Sequence, residues 1–424
     1  MKNLNIEISN VGPIEHVVLN LNKINVLMGE QSSGKSTIAK IISFCNWVEK
    51  DVSINQSFKS YNSDKNFFID RLTTFHKMKG YFNANSYIKY SSDTLIITYS
   101  KQNFNIKWVD RFAYKRNKIS YIPAERSLAV LPEIEKVEFG NNYLKSFLFD
   151  WLDARKNYSK KSKLQLIDID VDFYHSESNK ESHIFNSKKD YDILLSQASS
   201  GLQSVTPLLV MIDHLTNKIY SEEQSSYIFD EIKMEVTERL ISELIFKPIY
   251  KKDFDDDIEG RRNALDDLNK RIVEKDKDVM AHVERFRSVR DGLFETHSTN
   301  FILEEPEQNL FPSTQKSLVY YLFECISKNP DHRLTLTTHS PYVLYAINNC
   351  IMAHITKDKM NKKETEKLYC NSSKIDPSLI SIYELKNGKV ELIQQEDGLI
   401  GDNFFDKKMK EVMNEFYVML NHYE

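Results

Sequence analysis

Ile24-Asn25-Val26-Leu27-Met28-Gly29-Glu30-Gln31-Ser32-Ser33-Gly34-Lys35-Ser36-Thr37 decides how this 424-residue chain is read. Ile24 to Met28 is a compact apolar run, the pattern of a buried parallel strand. A Gly/Ser loop follows. Then Ile38, Ile41, Ile42, Cys45 and Val48 recur at helical spacing. Gly29 to Ser36 fits G-x-x-x-x-G-K-[ST], in the required setting between a strand and a helix. The two glycines let the backbone curl so that its N–H groups converge on phosphate oxygens. The helix N-terminus adds partial positive charge. The candidate phosphate-holding set is therefore Gly29, Gln31, Ser32, Ser33, Gly34, Lys35, Ser36 and Thr37. Lys35 is placed to neutralise the β- and γ-phosphates of ATP, and the Ser36 hydroxyl to ligate Mg2+.

Three further segments fit the same chemistry. In Phe301-Ile302-Leu303-Glu304-Glu305-Pro306-Glu307 a short apolar strand ends in two carboxylates. Glu304 takes the metal-side role, and Glu305 that of general base or water-orienting group. Leu334-Thr335-Leu336-Thr337-Thr338-His339-Ser340-Pro341 is a second strand, and it delivers His339 to a neighbouring strand end within reach of a γ-phosphate. Ser199-Ser200-Gly201-Leu202-Gln203 precedes an apolar helix. It reads either as a plain N-cap or as a second phosphate-binding helix terminus, used on a partner subunit's nucleotide through Ser200, Gly201 and Gln203.

Composition narrows the class. The chain is 28% charged and 41% hydrophobic, an ordinary globular balance. It has only 11 glycines, where average usage of about 7% predicts roughly 30. That argues against a loop-rich β protein, and the few glycines are expected where only glycine fits. Alanine at Gly29, Gly34 or Gly201 is expected to cost function more than fold. Net charge is −4, which gives no global drive toward nucleic acid or membrane. The four cysteines show no C-x-x-C spacing and read as reduced thiols. Neither a secretory leader nor an apolar run of membrane-spanning length is present, so a cytoplasmic protein is expected.

Along the chain, residues 3–8 alternate as a half-buried strand, Gly12-Pro13 turns, and Val17 to Leu21 resumes the strand. Residues 51–118 are polar and aromatic and suggest no topology beyond short strands. Asp168, Asp170 and Asp172 read as one face of a solvated strand. Residues 226–246 read as a helix. Leu265, Leu268, Ile272, Val279, Phe286, Val289 and Leu293 then recur at heptad-like spacing, as in a protruding helical hairpin. Asp253, Asp255 and Asp257 resemble a calcium loop, but Ile258 stands where glycine is needed, so they read as a charged turn. Residues 404–420 form an amphipathic helix. The expected organisation is an ATPase head built from 1–216 and 298–424, interrupted by a helical hairpin at 217–297.

Together the four motifs resemble the ABC-type ATPases of the SMC, RecF and OLD-like branch. They match its Walker A loop, LSGGQ-like signature, Walker B and switch histidine. Glu304-Glu305-Pro306-Glu307 with Asn309-Leu310-Phe311-Pro312 is similar to the E-E-P-E-x-x-L-x-P pattern of OLD-like and RecF-like members. The resemblance implies an α/β P-loop NTPase fold, a mixed sheet flanked by helices, with ATP and Mg2+ as cofactors. It also implies a homo-oligomer, at least a head-to-tail dimer in which two subunits sandwich each nucleotide. Tyr121-Ile122-Pro123-Ala124-Glu125-Arg126-Ser127 stands in the Q-loop position without a glutamine, which leaves Glu125 and Arg126 as candidate γ-phosphate sensors.

No nuclease motif follows His339. That pattern is similar to the ATPase subunits of two-gene bacterial anti-phage systems of the PARIS and Septu kind, in which a separate nuclease or toxin is the effector. A sensor or switch subunit of such a system is one implied function. A RecF- or SMC-like DNA-repair ATPase is another, with the basic stretches 115–118 and 156–163 along a DNA path. A non-catalytic nucleotide-gated scaffold is a third. The long gap between Gly201 and Glu304 argues against a transporter subunit.

Overall fold

The structure, a computed structural model, describes residues 4–221, 227–252, 254 and 257–423. Ser226, Asp253 and Asp255 lie outside the described residues. The chain opens with β1 (Asn5–Val11), β2 (Ile14–Asn20) and β3 (Ile24–Gly29), followed by α1 (Lys35–Asn55). Residues 51–118, which suggest no topology on their own, hold the end of α1, then α2 (Lys59–Ser63), α3 (Phe67–Phe75), β4 (Phe82–Ser91), β5 (Leu95–Ser100) and β6 (Asn103–Trp108). Next come β7 (Asn117–Ile122), α4 (Tyr143–Ala154), β8 (Leu164–Gln165), β9 (Asp172–Ser176), β10 (Glu181–Asn186), β11 (Tyr191–Leu194) and α5 (Ser200–Asp213). Four helices follow: α6 (Tyr227–Ile241), α7 (Lys247–Tyr250), α8 (Ile258–Val273) and α9 (Lys277–Phe294). The remainder is β12 (Ser298–Glu304), α10 (Pro312–Ser327), β13 (Arg333–Thr338), α11 (Pro341–Ile355), α12 (Lys362–Thr365), β14 (Ile380–Lys386), β15 (Lys389–Leu392) and α13 (Phe404–Leu420).

The central sheet has the order β15-β14-β3-β13-β12-β7. Its pairings are parallel except for the β14–β15 hairpin, so the sheet is mixed. All six residues of β3 and all seven of β12 are buried, as expected when both faces of a parallel strand are covered. Alternation along β3 divides its side chains between two cores. Ile24, Val26 and Met28 pack with Leu208, Leu322 and Ile347 of α5, α10 and α11. Leu27 faces the other side, with Ile38, Ile41 and Ile42 of α1. That second core is closed by an antiparallel sheet of order β2-β1-β4-β5-β6. The fold is thus α/β of the P-loop NTPase class, with the mixed sheet flanked by helices.

The helical segment differs from a lone protruding hairpin. α8 and α9 do turn back on one another, through Lys275 in a left-handed conformation and an N-cap from Asp276. However, Val236, Leu240 and Phe246 at and after α6 join Leu268, Val283, Phe286 and Leu293 in one apolar cluster with Tyr114. Leu265, expected on the seam, is exposed, and Ala264 is buried instead. The Arg116 N–H donates to the Gly292 carbonyl at 2.7 Å, which seats α9 against the head. Asp168, Asp170 and Asp172 do not share a strand face. Only Asp172 lies in a strand; Asp168 sits in a left-handed turn accepting from Ser317, and Asp170 pairs with Lys188.

Candidate functional site

The sheet register brings the C-terminal ends of its inner strands to one edge. Thr338 of β13 lies opposite Met28 of β3, and Thr337 opposite Glu304 of β12. Chain leaving these ends therefore converges, as at the crevice of an open α/β sheet.

At the end of β3 the loop turns into α1. Gly29 and Gly34 have φ of 145° and 105°, both in the region that favours glycine. A Cβ at Gly29 would meet the Leu385 carbonyl, and one at Gly34 the Ile14 side chain. These two glycines are therefore required by packing as well as by phosphate approach, which corrects the expectation that alanine there costs function more than fold. Lys35, Ser36 and Thr37 form the first turn of α1, where backbone N–H groups have no helical partner. Lys35 is buried and donates from Nζ to the carbonyls of Gly29 (3.0 Å) and Glu30 (2.7 Å) and to Ser33 Oγ (3.3 Å). The ammonium is held inside the curl of the loop. Burial lowers its pKa to about 8, against the opposing pull of Glu305 and Glu307. Gln31 and Ser32 line an adjoining cavity of about 370 Å3 together with Pro13, Asn387 and Phe404.

Glu304 is buried at the end of β12. Burial raises its carboxyl pKa, opposed by Lys40 and by the hydroxyls of Tyr121 and Ser36. Its Oε1 has no hydrogen-bond partner among the described residues. A buried carboxylate with an open oxygen beside the Ser36 hydroxyl has the donor set that a hard cation such as Mg2+ takes, with phosphate oxygens completing the shell. Glu305 follows in a left-handed conformation, φ 44°, which is strained for this residue. Its N–H is tied to the Thr337 carbonyl at 3.0 Å. The side chain stays half-exposed, with Oε1 3.5 Å from His339 Nε2. The hydrogen bond from His339 holds the Glu305 carboxyl below its ordinary pKa, with burial opposing.

Glu307 has no role implied by its motif position, yet it braces this pair. Its Oε1 accepts from the His339 N–H at 2.5 Å and from Thr338 Oγ1 at 2.9 Å. The signal for it is faint: a third carboxylate two residues beyond Glu305.

Arg126 is not a γ-phosphate sensor here. It is fully buried, and each of its nitrogens donates to backbone carbonyls. Nε reaches Ser204, Nη1 reaches Pro123 and Glu304, and Nη2 reaches Glu305 and Pro306. Glu125 is exposed and accepts from the Tyr143 hydroxyl at 3.4 Å. Ser199 is the N-cap of α5, and Ser200, Gly201 and Gln203 occupy its first turn. Gly201 lies against the Asn309 carbonyl, and Gln203 spends its amide on the carbonyls of Ser196 and Ala198. The first turn of α5 is thus docked in cis onto the turn that follows Glu305, and the structure does not bring these three residues to the Lys35 loop.

The chain is similar to the SMC head domain from Thermotoga maritima, at 9% identity and a TM-score of 0.36, covering 93% of this chain and 99% of that one. It is similar to the recombination mediator protein RecF of the RecFOR pathway, at 10% identity and a TM-score of 0.30, covering 92% and 98%. An ATP-binding cassette of an ABC transporter gives 10% identity and a TM-score of 0.29, covering 97% and 99%. With TM-scores this low the fold class rests on the strand order, loop and helix described above. No protein-family model matches the sequence, and no curated protein matches it. Among the described residues no helix is long and apolar enough to cross a membrane.

Proposed function

We propose that the chain is a Mg2+-dependent ATPase. The observation that carries this reading is the convergence of Lys35, Ser36, Glu304, Glu305 and His339 at the ends of β3, β12 and β13. The loop amides and Lys35 bind the β- and γ-phosphates. Ser36 and Glu304 would hold Mg2+, which when bound neutralises charge on the transferred phosphoryl group. Glu305, kept ionised by His339, orients the attacking water and accepts its hydrogen bond. His339, 3.5 Å from Glu305, donates to the γ-phosphate in this reading. Phosphate release from ATP tests this. Lys35→Ala is expected to lose ATP binding, and Glu305→Gln to keep binding and lose turnover. Wild-type protein that releases no phosphate, or a Lys35→Ala variant equal to wild type, would overturn the reading.

We further propose that this ATPase is the sensor or switch subunit of an anti-phage defence system, controlling a separate nuclease or toxin. The motif resemblance and the helical segment beside the head support this reading. A reading frame for a nuclease or toxin beside this gene, and co-purification of its product, test it. The RecF-like alternative draws on the basic stretches, but several of those cations already have partners. Lys118 pairs with Asp150 at 2.6 Å, and Lys163 lies over the Phe185 ring. A duplex-binding assay at low salt separates the two readings.

A further inference from the structure

Helix α13 has no buried residue along its 17 positions. Helical stability in proteins comes mostly from packing an apolar face, and within the single chain α13 buries none of its residues. Among the described residues, the hydrogen bonds that fix α13 to the body lie at its start. Asn403 and Asp406 form a capping box, the Phe404 N–H donates to Glu384 at 3.2 Å, and the Tyr345 hydroxyl donates to Asp406 at 2.8 Å. Beyond that anchor its large apolar side chains face solvent, with Met409 61%, Val412 64%, Phe416 52% and Met419 58% exposed.

These residues are not scattered. Phe405, Met409, Val412, Phe416 and Met419 alternate four- and three-residue steps, the a/d seam of a heptad, with Phe405 partly buried against the body. A seam of that period matches a second helix of the same period. The charges say which helix. Lys408 and Glu415 each directly precede an a position, so both are g residues. An antiparallel pair brings g next to g. With Met409 against the partner's Val412 and Phe405 against the partner's Phe416, Lys408 of each copy meets the partner's Glu415. The register that slides Met409 to the partner's Met419 instead sets the two Glu415 side chains together. In the single chain Lys408 pairs with Glu411 at 2.8 Å on an exposed face, a contact worth little and readily exchanged.

We propose that α13 is a dimerisation helix. Two copies of this chain associate through antiparallel pairing of their α13 seams, in a contact that does not require nucleotide. The proposal is independent of the ATPase reading, which places its own subunit contact at the heads.

Sedimentation equilibrium of the full chain in EDTA, without nucleotide, tests this. Dimer is expected at micromolar concentrations. Val412→Glu and Phe416→Glu should each weaken it by at least about tenfold, because each buries a charge in the seam. Both positions are exposed in the single chain, so circular dichroism melts of the body should stay unchanged. Lys408→Glu and Glu415→Lys should each weaken the dimer, and the double variant should regain wild-type affinity to within a few-fold. A wild-type chain that is monomeric without ATP would overturn the proposal. So would a dimer indifferent to Val412→Glu, or a double charge reversal no tighter than the single ones.

Discussion

Arg126 Nη2 donates to the Glu305 carbonyl at 2.8 Å, behind the residue whose side chain faces the reaction space. The same guanidinium holds the Glu304 carbonyl at 2.9 Å and the Ser204 carbonyl in α5 at 3.2 Å. One buried side chain therefore pins a strained turn and ties it to the helix carrying Gly201. Replacing Arg126 with Ala leaves several buried carbonyls without donors, each costing about 1–3 kcal/mol. Urea unfolding of Arg126→Ala should show a loss of at least about 3 kcal/mol, at the upper end for single substitutions. A loss below about 1 kcal/mol would show that water replaces the guanidinium at no real cost.

His339 sets the protonation of Glu305. Its hydrogen bond is the largest contribution lowering the Glu305 pKa, so removing it raises that pKa. A carboxylate that must be ionised to orient water loses activity as pH falls through its pKa. The acid limb of the phosphate-release profile is therefore expected to move to higher pH in His339→Ala. An unchanged limb with a uniformly lower rate would mean that His339 acts on the phosphate and not through Glu305.

How much of this was legible in the sequence depends on the range of the forces involved. The Lys35 loop and the two strand-end motifs are local patterns, and each stands at its predicted strand end. β3 and β12 announce themselves because strands covered on both faces carry near-continuous apolar runs, here Ile24 to Met28 broken only by Asn25, and Phe301 to Leu303. Arg126 stands in the Q-loop position, which makes it a candidate sensor by motif, but its donors serve carbonyls at Ser204 and Glu304, and nothing local encodes such contacts. Glu307 was passed over for the same reason, since its partners are on β13 and just after it. In 51–118, β4, β5 and β6 pair with their sequence neighbours, but the sheet is completed by β4 pairing with β1, far back in the chain, and no local pattern encodes that partner.

Lys35 ties stability and affinity to pH with opposite signs. Its pKa of about 8 in the folded chain is below the unfolded value of about 10.4. The fold therefore disfavours the ammonium. That penalty is fully present below pH 8 and is relieved as pH rises toward 10.4. Over the same window the amine loses the charge that a phosphate requires. Relative to Lys35→Ala, the wild-type chain should gain stability between pH 8 and 10 while its ATP affinity falls. Urea unfolding and equilibrium ATP binding across that range check both limbs. A parallel rise, or no divergence from Lys35→Ala, would place the ammonium in contact with water.

Glu307 separates bracing from charge. Burial pushes its carboxyl pKa up, and its Oε2 has no partner among the described residues. An amide retains an oxygen for the His339 N–H and the Thr338 hydroxyl while removing a buried negative charge, so Glu307→Gln should be close to neutral in stability. Its turnover should persist, because the turn holding His339 keeps its acceptor. Glu307→Ala removes the acceptor from two donors, costs about 1–3 kcal/mol, and frees His339 from its place beside Glu305. The Ala variant is therefore expected to lose turnover with its ATP affinity little changed, since neither the loop nor Lys35 hydrogen-bonds to Glu307 and its pull on the Lys35 ammonium is smaller than that of burial and of Glu305. A Gln variant as slow as the Ala variant would assign Glu307 an electrostatic role in the reaction itself.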